Sequence, residues 1–360
     1  MTHPVDEHSV DSPDPIEDAG PTVGDDRLGP LFGSLPPDVL REVLQKLDYL
    51  SRGLFALASG ACWRAMKDAG KSCKVSKQLF CMYAARGGHL ECLRYARERG
   101  CPWDEGTCWE TAEGGHLECL RYLREHGCPW SERTCFSAAR KGHLECLRYA
   151  REHGCAWNPS TCAAAASGGH LECLRYAHEH GCPWSGRTCF SAAHEGHLEC
   201  LRYAHERGCP WDTQTCWEAA RYGHLECLRY LHERGCPWDI QTCTAAASGG
   251  HLECLRYARE HGCPWDEVTC SSAASGGHLE CLRYAHERGC PWDTRTSLGA
   301  ATSGRLECLR YAYEHGCPLH PKTCYFTASH LKMTSPYHSR WRGRLECLQY
   351  ARDHGCPCPV

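Results

Sequence analysis

One short motif returns through most of this chain at a fixed interval, and that interval limits the possible folds more than any other feature. The tripeptide Leu-Glu-Cys begins at position 90, recurs with constant spacing at 117, 144, 171 and onward to 306, and appears once more at 345 after a 12-residue insertion. A fixed period of about 20 to 50 residues is typical of a solenoid, in which each unit covers the apolar faces of its neighbours. We therefore predict one array of ten units over residues 76–360.

The sequence pattern of each unit predicts two helices joined by a loop. The position after Cys-Pro-Trp is Asp, Ser or Asn in successive copies, and these residue types cap helix N-termini, so the first helix should begin near residue 105. It should run for about nine residues, to the glycines at 114–115. In the second helix, Leu117, Leu120 and Leu123 share one face. This helix should span about eleven residues and end at Gly127.

Composition excludes several classes of function. The net charge of −4 includes −7 from residues 1–30, so the rest of the chain carries only +3 and offers no electrostatic footprint for nucleic acid. No apolar run approaches the roughly 18 residues of a membrane span, and the first residues lack the features of a secretory signal. We expect a soluble, cytoplasmic monomer. Residues 1–30 are acidic and poor in apolar residues, which predicts a disordered tail.

Residues 31–75 form a separate helical segment in this interpretation. Leu35-Pro36 precedes a run of apolar residues at helical spacing that ends in Leu-Asp, and a second Leu-rich run reaches Trp63. The segment resembles an F-box, which implies docking onto the Skp-type adaptor of a cullin-RING ubiquitin ligase. The alternative is a helical cap on the first repeat. The docking residues that the resemblance implies are Leu35, Pro36, Val39, Leu40, Val43, Leu44 and Leu47.

The repeat itself resembles the ankyrin repeat. Thr134-Cys-Phe-Ser-Ala-Ala-Arg-Lys-Gly-His143, followed by a Leu-rich helix and Gly154-Cys155, follows that family's pattern. The unit has 27 residues where the family has about 33. The missing residues fall where ankyrin repeats carry a β-hairpin, so we predict an all-α, ankyrin-like solenoid with little or no strand. An F-box with many short, Cys-rich units also resembles proteins encoded by giant DNA viruses of amoebae, which implies the host cell cytoplasm.

The 32 cysteines follow the repeat and occupy three positions in each unit. Zinc is one interpretation, because Cys101, Cys108, His116 and Cys119 could supply four ligands. The spacing contains no Cys-x2-Cys knuckle, however, and each cysteine replaces a small apolar residue of the ankyrin pattern. Equivalent residues of adjacent units should lie about 8 to 10 Å apart, too far for disulfides. We predict buried, reduced thiols and no cofactor, with zinc storage as a weaker alternative.

Two further residues recur in nearly every unit and are interpreted as structural. A histidine such as His116 opens the second helix in eight copies, which predicts hydrogen bonding at the helix start and between repeats. The tryptophan of the Cys-Pro-Trp loop should pack on its neighbours. No phosphate loop, carboxylate pair or nucleophile motif stands apart from the repeat, so no catalytic residue is predicted and the chain is not expected to be an enzyme.

Positions that differ between units are free of the packing constraint, and they cluster in the first helix. In ankyrin-like stacks this helix lines the concave side, and aromatic and arginine side chains are frequent anchors of protein contacts. We predict a protein-binding surface there; its residues are Trp109, Glu110, Phe136, Arg140, Lys141, Phe190, His194, Trp217, Arg221, Tyr222 and Tyr325. The insertion at 329–342 is basic and aromatic, and it is either a second contact site or a solvated loop.

The function predicted from these features is a non-catalytic receptor that carries a bound protein to a cullin-RING ubiquitin ligase. The alternative is an interaction scaffold or decoy that sequesters its partner and has no connection to a ligase.

Overall fold

The structure, a computed structural model, describes residues 77–98, 100–333 and 340–357. The predicted tail at 1–30 and the F-box-like segment at 31–75, including the docking residues from Leu35 to Leu47, lie outside the described residues. All described helices belong to the unit Ser76–Val360.

Twenty helices and no strand occur in the described ranges. The first helices of successive units are α1 Lys77–Arg86, α3 Glu105–Gly114, α5 Glu132–Lys141, α7 Pro159–Ser167, α9 Gly186–Glu195, α11 Thr213–Arg221, α13 Ile240–Gly249, α15 Glu267–Gly276, α17 Thr294–Ser303 and α19 Thr323–Met333. The second helices are α2 Leu90–Glu98, α4 Leu117–Glu125, α6 Leu144–Glu152, α8 Leu171–Glu179, α10 Leu198–Glu206, α12 Leu225–Glu233, α14 Leu252–Glu260, α16 Leu279–Glu287, α18 Leu306–Glu314 and α20 Trp341–Asp353. The predicted all-α array of helix-loop-helix units is confirmed.

The first helices begin where the polar residue of the loop caps them. The backbone N–H of Thr107 donates to the Asp104 carboxylate over 3.3 Å, so α3 begins at Glu105 as predicted. Asn158 caps α7 in the same way, accepting from the N–H of Ser160 over 2.9 Å. Ser131 and Ser185 occupy this position but make no side-chain cap.

The second helices of the regular units have nine residues, two fewer than predicted. His126 leaves the helix with φ −98° and ψ 18°, and its Nδ1–H donates to the carbonyl of Tyr122 over 2.8 Å. The side chain thus adds a second hydrogen bond to a carbonyl that already accepts from the backbone N–H of His126 over 3.2 Å. Gly127 then reverses the chain with φ 76°, a left-handed conformation that favours glycine, so the predicted stop is confirmed.

The cysteines form much of the core. Cys108, Cys119 and Cys128, one from each position of the unit, are buried, and every described cysteine is unbridged. Burial raises the pKa of the Cys146 thiol to about 12, so this side chain is a neutral, protonated thiol. The Cys128 thiol donates to the carbonyl of Asp104 over 3.3 Å, which ties the end of α4 to the start of α3. The core-packing interpretation is confirmed, and a weak hydrogen bond is added to it.

The insertion lengthens the last unit's helices rather than forming one long loop. The α19 helix continues to Met333, and α20 begins at Trp341 and has 13 residues. Arg342, predicted on the loop, therefore lies in α20, and its Nε is 3.0 Å from a carboxylate oxygen of Glu346. Residues 334–339 lie outside the described residues.

The units stack into two rows of helices. The first helices pack closely against the first helices of neighbouring units, whereas the second helices contact one another much less. The row of first helices is therefore the more closely packed of the two. We call the first helices the inner row and the second helices the outer row.

Candidate protein-binding surface

Histidines fasten each unit to the unit before it. The Nε2–H of His116 donates to the carbonyl of Arg86 over 2.9 Å, and that of His224 donates to the carbonyl of His194 over the same distance. Each ring also covers a glycine of the preceding unit, and a Cβ on Gly115 would collide with the ring of His143. The predicted role in inter-repeat hydrogen bonding is confirmed. These bonds hold the last turn of each inner helix in place.

The loop tryptophans are engaged on the outer row. The guanidinium of Arg97 lies 4.2 Å from the Trp103 ring centre, and Tyr122 approaches the same ring edge-on at 6.2 Å. Further along the array, His205 stacks on Trp211 with the ring centres 3.6 Å apart. The predicted packing role is confirmed.

The structure places nearly all of the predicted contact residues along the inner row. Arg140, Lys141, Arg221, Tyr222 and Tyr325 are exposed; Tyr222 is 45% and Tyr325 52% accessible. The aromatic rings at the position of other units that corresponds to Tyr325 are half-buried, so each is partly accessible to solvent. These rings belong to Trp109, Phe136, Phe190 and Trp217.

Glu110 differs from the rest of the predicted set. Its side chain is buried, with only 6% of the residue accessible, and Arg86 of the preceding unit lies 3.4 Å from its carboxylate. Burial raises the pKa of this carboxyl, and the positive charge of Arg86 opposes that shift. The prediction of Glu110 as an accessible contact residue is therefore wrong, because the stacking of units places the carboxylate beneath the surface.

A second buried glutamate repeats this arrangement. Glu218 is 7% accessible, and one of its carboxylate oxygens lies 2.7 Å from Nδ1 of His194. In both pairs the basic partner occupies the same position of the preceding unit. Sequence analysis missed Arg86 and Glu218 as partners, although the recurrence of Trp-Glu with a basic residue at that earlier position was a usable signal. His194 also contacts Tyr222, with ring centres 4.2 Å apart.

The inner row contains a cavity of about 800 Å³ across α5, α7 and α9. Ala163 and Ala164 of α7 line it, together with Phe136 and Phe190 from the units on either side. Small side chains in α7 leave this space open, because the equivalent positions in α3 and α11 are Trp-Glu. We call it the Ala163 notch. A smaller cavity of about 300 Å³ adjoins Trp217.

Other kinds of site were sought in the described ranges. No group of three or more His, Cys, Asp or Glu side chains there is arranged to hold a metal ion. None of the helices described is both long and apolar enough to cross a membrane.

Comparisons with known proteins bear on this architecture. Residues 189–232, 216–259 and 243–286 match the family model described as ankyrin repeats (many copies). Among solved structures, the human ASB11 ankyrin repeat domain is similar, with a TM-score of 0.41 and 20% identity, covering 52% of this chain and 96% of that one. A search of curated proteins finds no match. The array is an ankyrin-like helical solenoid, and residues 189–286 within it are similar to ankyrin repeats.

Proposed function

We propose that the chain is a non-catalytic receptor that binds a protein on its inner row and carries it to a cullin-RING ubiquitin ligase. The observation that supports partner binding is the division between the rows. Rings that recur in nearly every unit are engaged on the outer row, whereas rings and cations that differ between units are exposed or half-buried on the inner row. Aromatic and arginine side chains at the centre of a contact supply much of its binding energy.

The ligase half of the proposal rests on the F-box-like segment. If this half of the proposal is correct, the purified chain should bind directly to a Skp-type adaptor. Leu40→Asp combined with Leu44→Asp should abolish that binding, because two charges on the docking face would have to be buried without partners. Retention of the adaptor by this double variant would contradict docking through the segment. Failure of the unmodified chain to bind any adaptor, with partner capture intact, would favour the scaffold alternative.

Partner binding by the inner row is tested by capture of proteins from an amoebal lysate. Amoebae are chosen because the viral resemblance suggests that the host cell is an amoeba. Replacing Phe136, Phe190, Arg221 and Tyr222 by alanine together should abolish capture and change the unfolding midpoint little. The matched control carries alanine at four exposed outer-row arginines, namely Arg148, Arg175, Arg202 and Arg229. Capture lost equally in both variants, or kept in the inner-row variant, would contradict the proposal.

A further inference from the structure

On the inner helix α3, an aromatic residue is followed by a glutamate, and arginines of the two neighbouring units contact this pair. Trp109 and Glu110 are adjacent on α3. Arg86 of the preceding unit places a guanidinium nitrogen 3.4 Å from the Glu110 carboxylate. Arg133 of the following unit holds its guanidinium 5.6 Å from the Trp109 ring centre. The preceding unit therefore supplies a cation to the acid, and the following unit supplies one to the ring.

Two units further along, both arginines recur without the side chains they would contact. Arg140 precedes Ala164 by the same spacing that the first arginine has from its acid. Arg187 follows Ala163 by the same spacing that the second arginine has from its ring. Alanine thus stands where α3 has tryptophan and glutamate. Both arginines are exposed, and neither side chain forms an ion pair or ring contact with another residue in the described part of the chain.

The space left by the missing side chains is the Ala163 notch. Arg140 and Arg187 both line it, and its volume of about 800 Å³ lies within the range of ligand sites, roughly 300 to 1,000 Å³. Asp212 is the single carboxylate among the lining residues, and it caps α11 by accepting from the backbone N–H of Gln214 over 3.1 Å. The apolar floor and aromatic walls are therefore bordered by two positive charges and one negative charge, and neither arginine forms an ion pair with a described residue.

The chain fills the equivalent space itself in a second unit. Trp217 and Glu218 occupy it on α11, and His194 contacts the glutamate over 2.7 Å. The residues around α13 differ from those around the notch. Arg221 stands in the place of Arg140, but its guanidinium lies 5.7 Å from the Trp217 ring, and Val268 replaces the second arginine.

We propose that the Ala163 notch binds an acidic segment of a partner protein in which an aromatic residue is followed directly by aspartate or glutamate. The aromatic ring occupies the position that Ala163 leaves open, between Phe136 and Phe190, with the guanidinium of Arg187 over its face. The carboxylate pairs with Arg140 above Ala164. This inference rests on the proposed function and adds the chemistry of the bound partner.

The ligand chemistry is tested with labelled peptides on the full chain. A fluorescein-labelled peptide with Trp-Glu between Gly-Ser flanks is compared by fluorescence polarisation with its Trp-Gln and Ala-Glu counterparts. The Trp-Glu peptide should bind most tightly, with roughly fivefold weaker binding for Trp-Gln, and added salt should narrow that difference. Equal affinity of the Trp-Glu and Trp-Gln peptides, or no binding of Trp-Glu, would overturn the inference.

Variants of the chain locate the site. Arg140→Ala and Arg187→Ala should each weaken Trp-Glu binding roughly fivefold. Arg175→Ala should leave it unchanged, because Arg175 lies on the outer row of the same unit and pairs with Glu172 over 3.9 Å. Unchanged binding by Arg140→Ala, or an equal loss with Arg175→Ala, would contradict the assignment.

A filled notch provides an independent check. The double change Ala163→Trp and Ala164→Glu recreates the side chains of α3 and α11, so it should abolish peptide binding while retaining the helical content. Binding by this folded variant would overturn the inference; if it does not fold, the arginine variants still decide. If no peptide binds but the fourfold inner-row variant still loses its partner, the ligand chemistry is wrong and the proposed receptor function stands.

Discussion

The two rows of helices use repetition differently. On the outer row, nearly the same contacts recur from unit to unit: Arg121 lies 5.7 Å from the Tyr149 ring centre, and Arg148 lies 5.6 Å from that of Tyr176. On the inner row, the position held by Trp109 in one unit is Phe136 in the next and Ala163 in the one after. Recurring side chains on one row contact one another, whereas differing side chains on the other face solvent or an open cavity.

The comparison shows how the array separates stability from recognition. Nearest-neighbour interfaces determine the stability of a stacked repeat array, so side chains in those interfaces are constrained in every unit. An inner-row side chain outside those interfaces changes the surface without disturbing the stack. Glu110 and Glu218 are informative exceptions, because they vary between units yet form inter-unit pairs.

The largest effect should come from the glycines under the histidine rings. Gly223 has φ 79°, and a Cβ there would collide with the His251 ring. Gly223→Ala should lower the free energy of unfolding by about 3 kcal/mol, through left-handed strain and displacement of the ring. Urea-induced unfolding followed by circular dichroism measures the change.

Gly235 is the matched control within the same unit. Its φ is 77°, and nothing lies within 4 Å of a Cβ at this position. Gly235→Ala should therefore cost only the backbone strain, about 1 to 2 kcal/mol. If the two glycine variants lose equal stability, the contact between the histidine ring and the preceding unit contributes little, and the interfaces do not depend on it.

A smaller effect is expected from the buried inner-row glutamate. Glu218→Ala removes the 2.7 Å contact with His194 and should cost about 1 kcal/mol, because a half-buried histidine loses its hydrogen-bond partner. Its control is Glu226→Ala on the outer row, where the pair with Arg229 at 3.7 Å is exposed and worth about 0.5 kcal/mol or less. Equal losses in urea unfolding would show that burial gives the inner pair no added strength.

Much of the fold could be predicted from the sequence because each unit signals its own boundaries. The cap at Asp104 and the left-handed glycine at 127 are local features, and the structure confirms both. The second helix was overestimated because nothing in its composition shows that His126 turns back onto the carbonyl of Tyr122. The effect of the insertion was also missed, since the extra residues extend helices that the repeat period cannot describe.

The binding surface could be predicted only in outline. Comparing the copies identified the inner-row positions that vary, but it could not separate exposed Arg140 from buried Glu110. That separation depends on which residue of the neighbouring unit lies above each side chain. The constant offset in sequence between such partners is present in the sequence, but the stacked geometry is needed to show that it joins contacting residues, and the Ala163 notch depends on the same offset.

A pH effect should distinguish outer-row units that carry histidine from those that carry arginine. Burial lowers the pKa of His205, and the nearby Arg234 lowers it further. The unfolded chain then binds more protons than the folded chain, so stability present above about pH 6.5 should decline as the pH falls toward the lowered folded-state pKa. Thermal unfolding midpoints between pH 7.5 and 5.5 should show this decline.

His205→Arg supplies the control for the pH effect. It copies Arg124, whose guanidinium lies 4.5 Å from the Trp130 ring, and an arginine side chain in general stays protonated at these pH values. The variant should show a weaker dependence of the midpoint on pH. A slope identical to that of the unmodified chain would mean that protonation of His205 does not contribute.

The smallest effects on stability should come from replacing single exposed arginines. Two arginines that are close in sequence, one on each row, allow the comparison. Arg148 pairs with Glu145 over 3.8 Å on the outer row, and Arg140 on the inner row forms no ion pair with a described residue. Alanine at either position should change the free energy of unfolding by about 0.5 kcal/mol or less. Only Arg140→Ala should weaken binding of the Trp-Glu peptide. A clearly larger loss of stability for Arg140→Ala would assign that arginine to packing and remove the distinction between the rows at the position where it matters most.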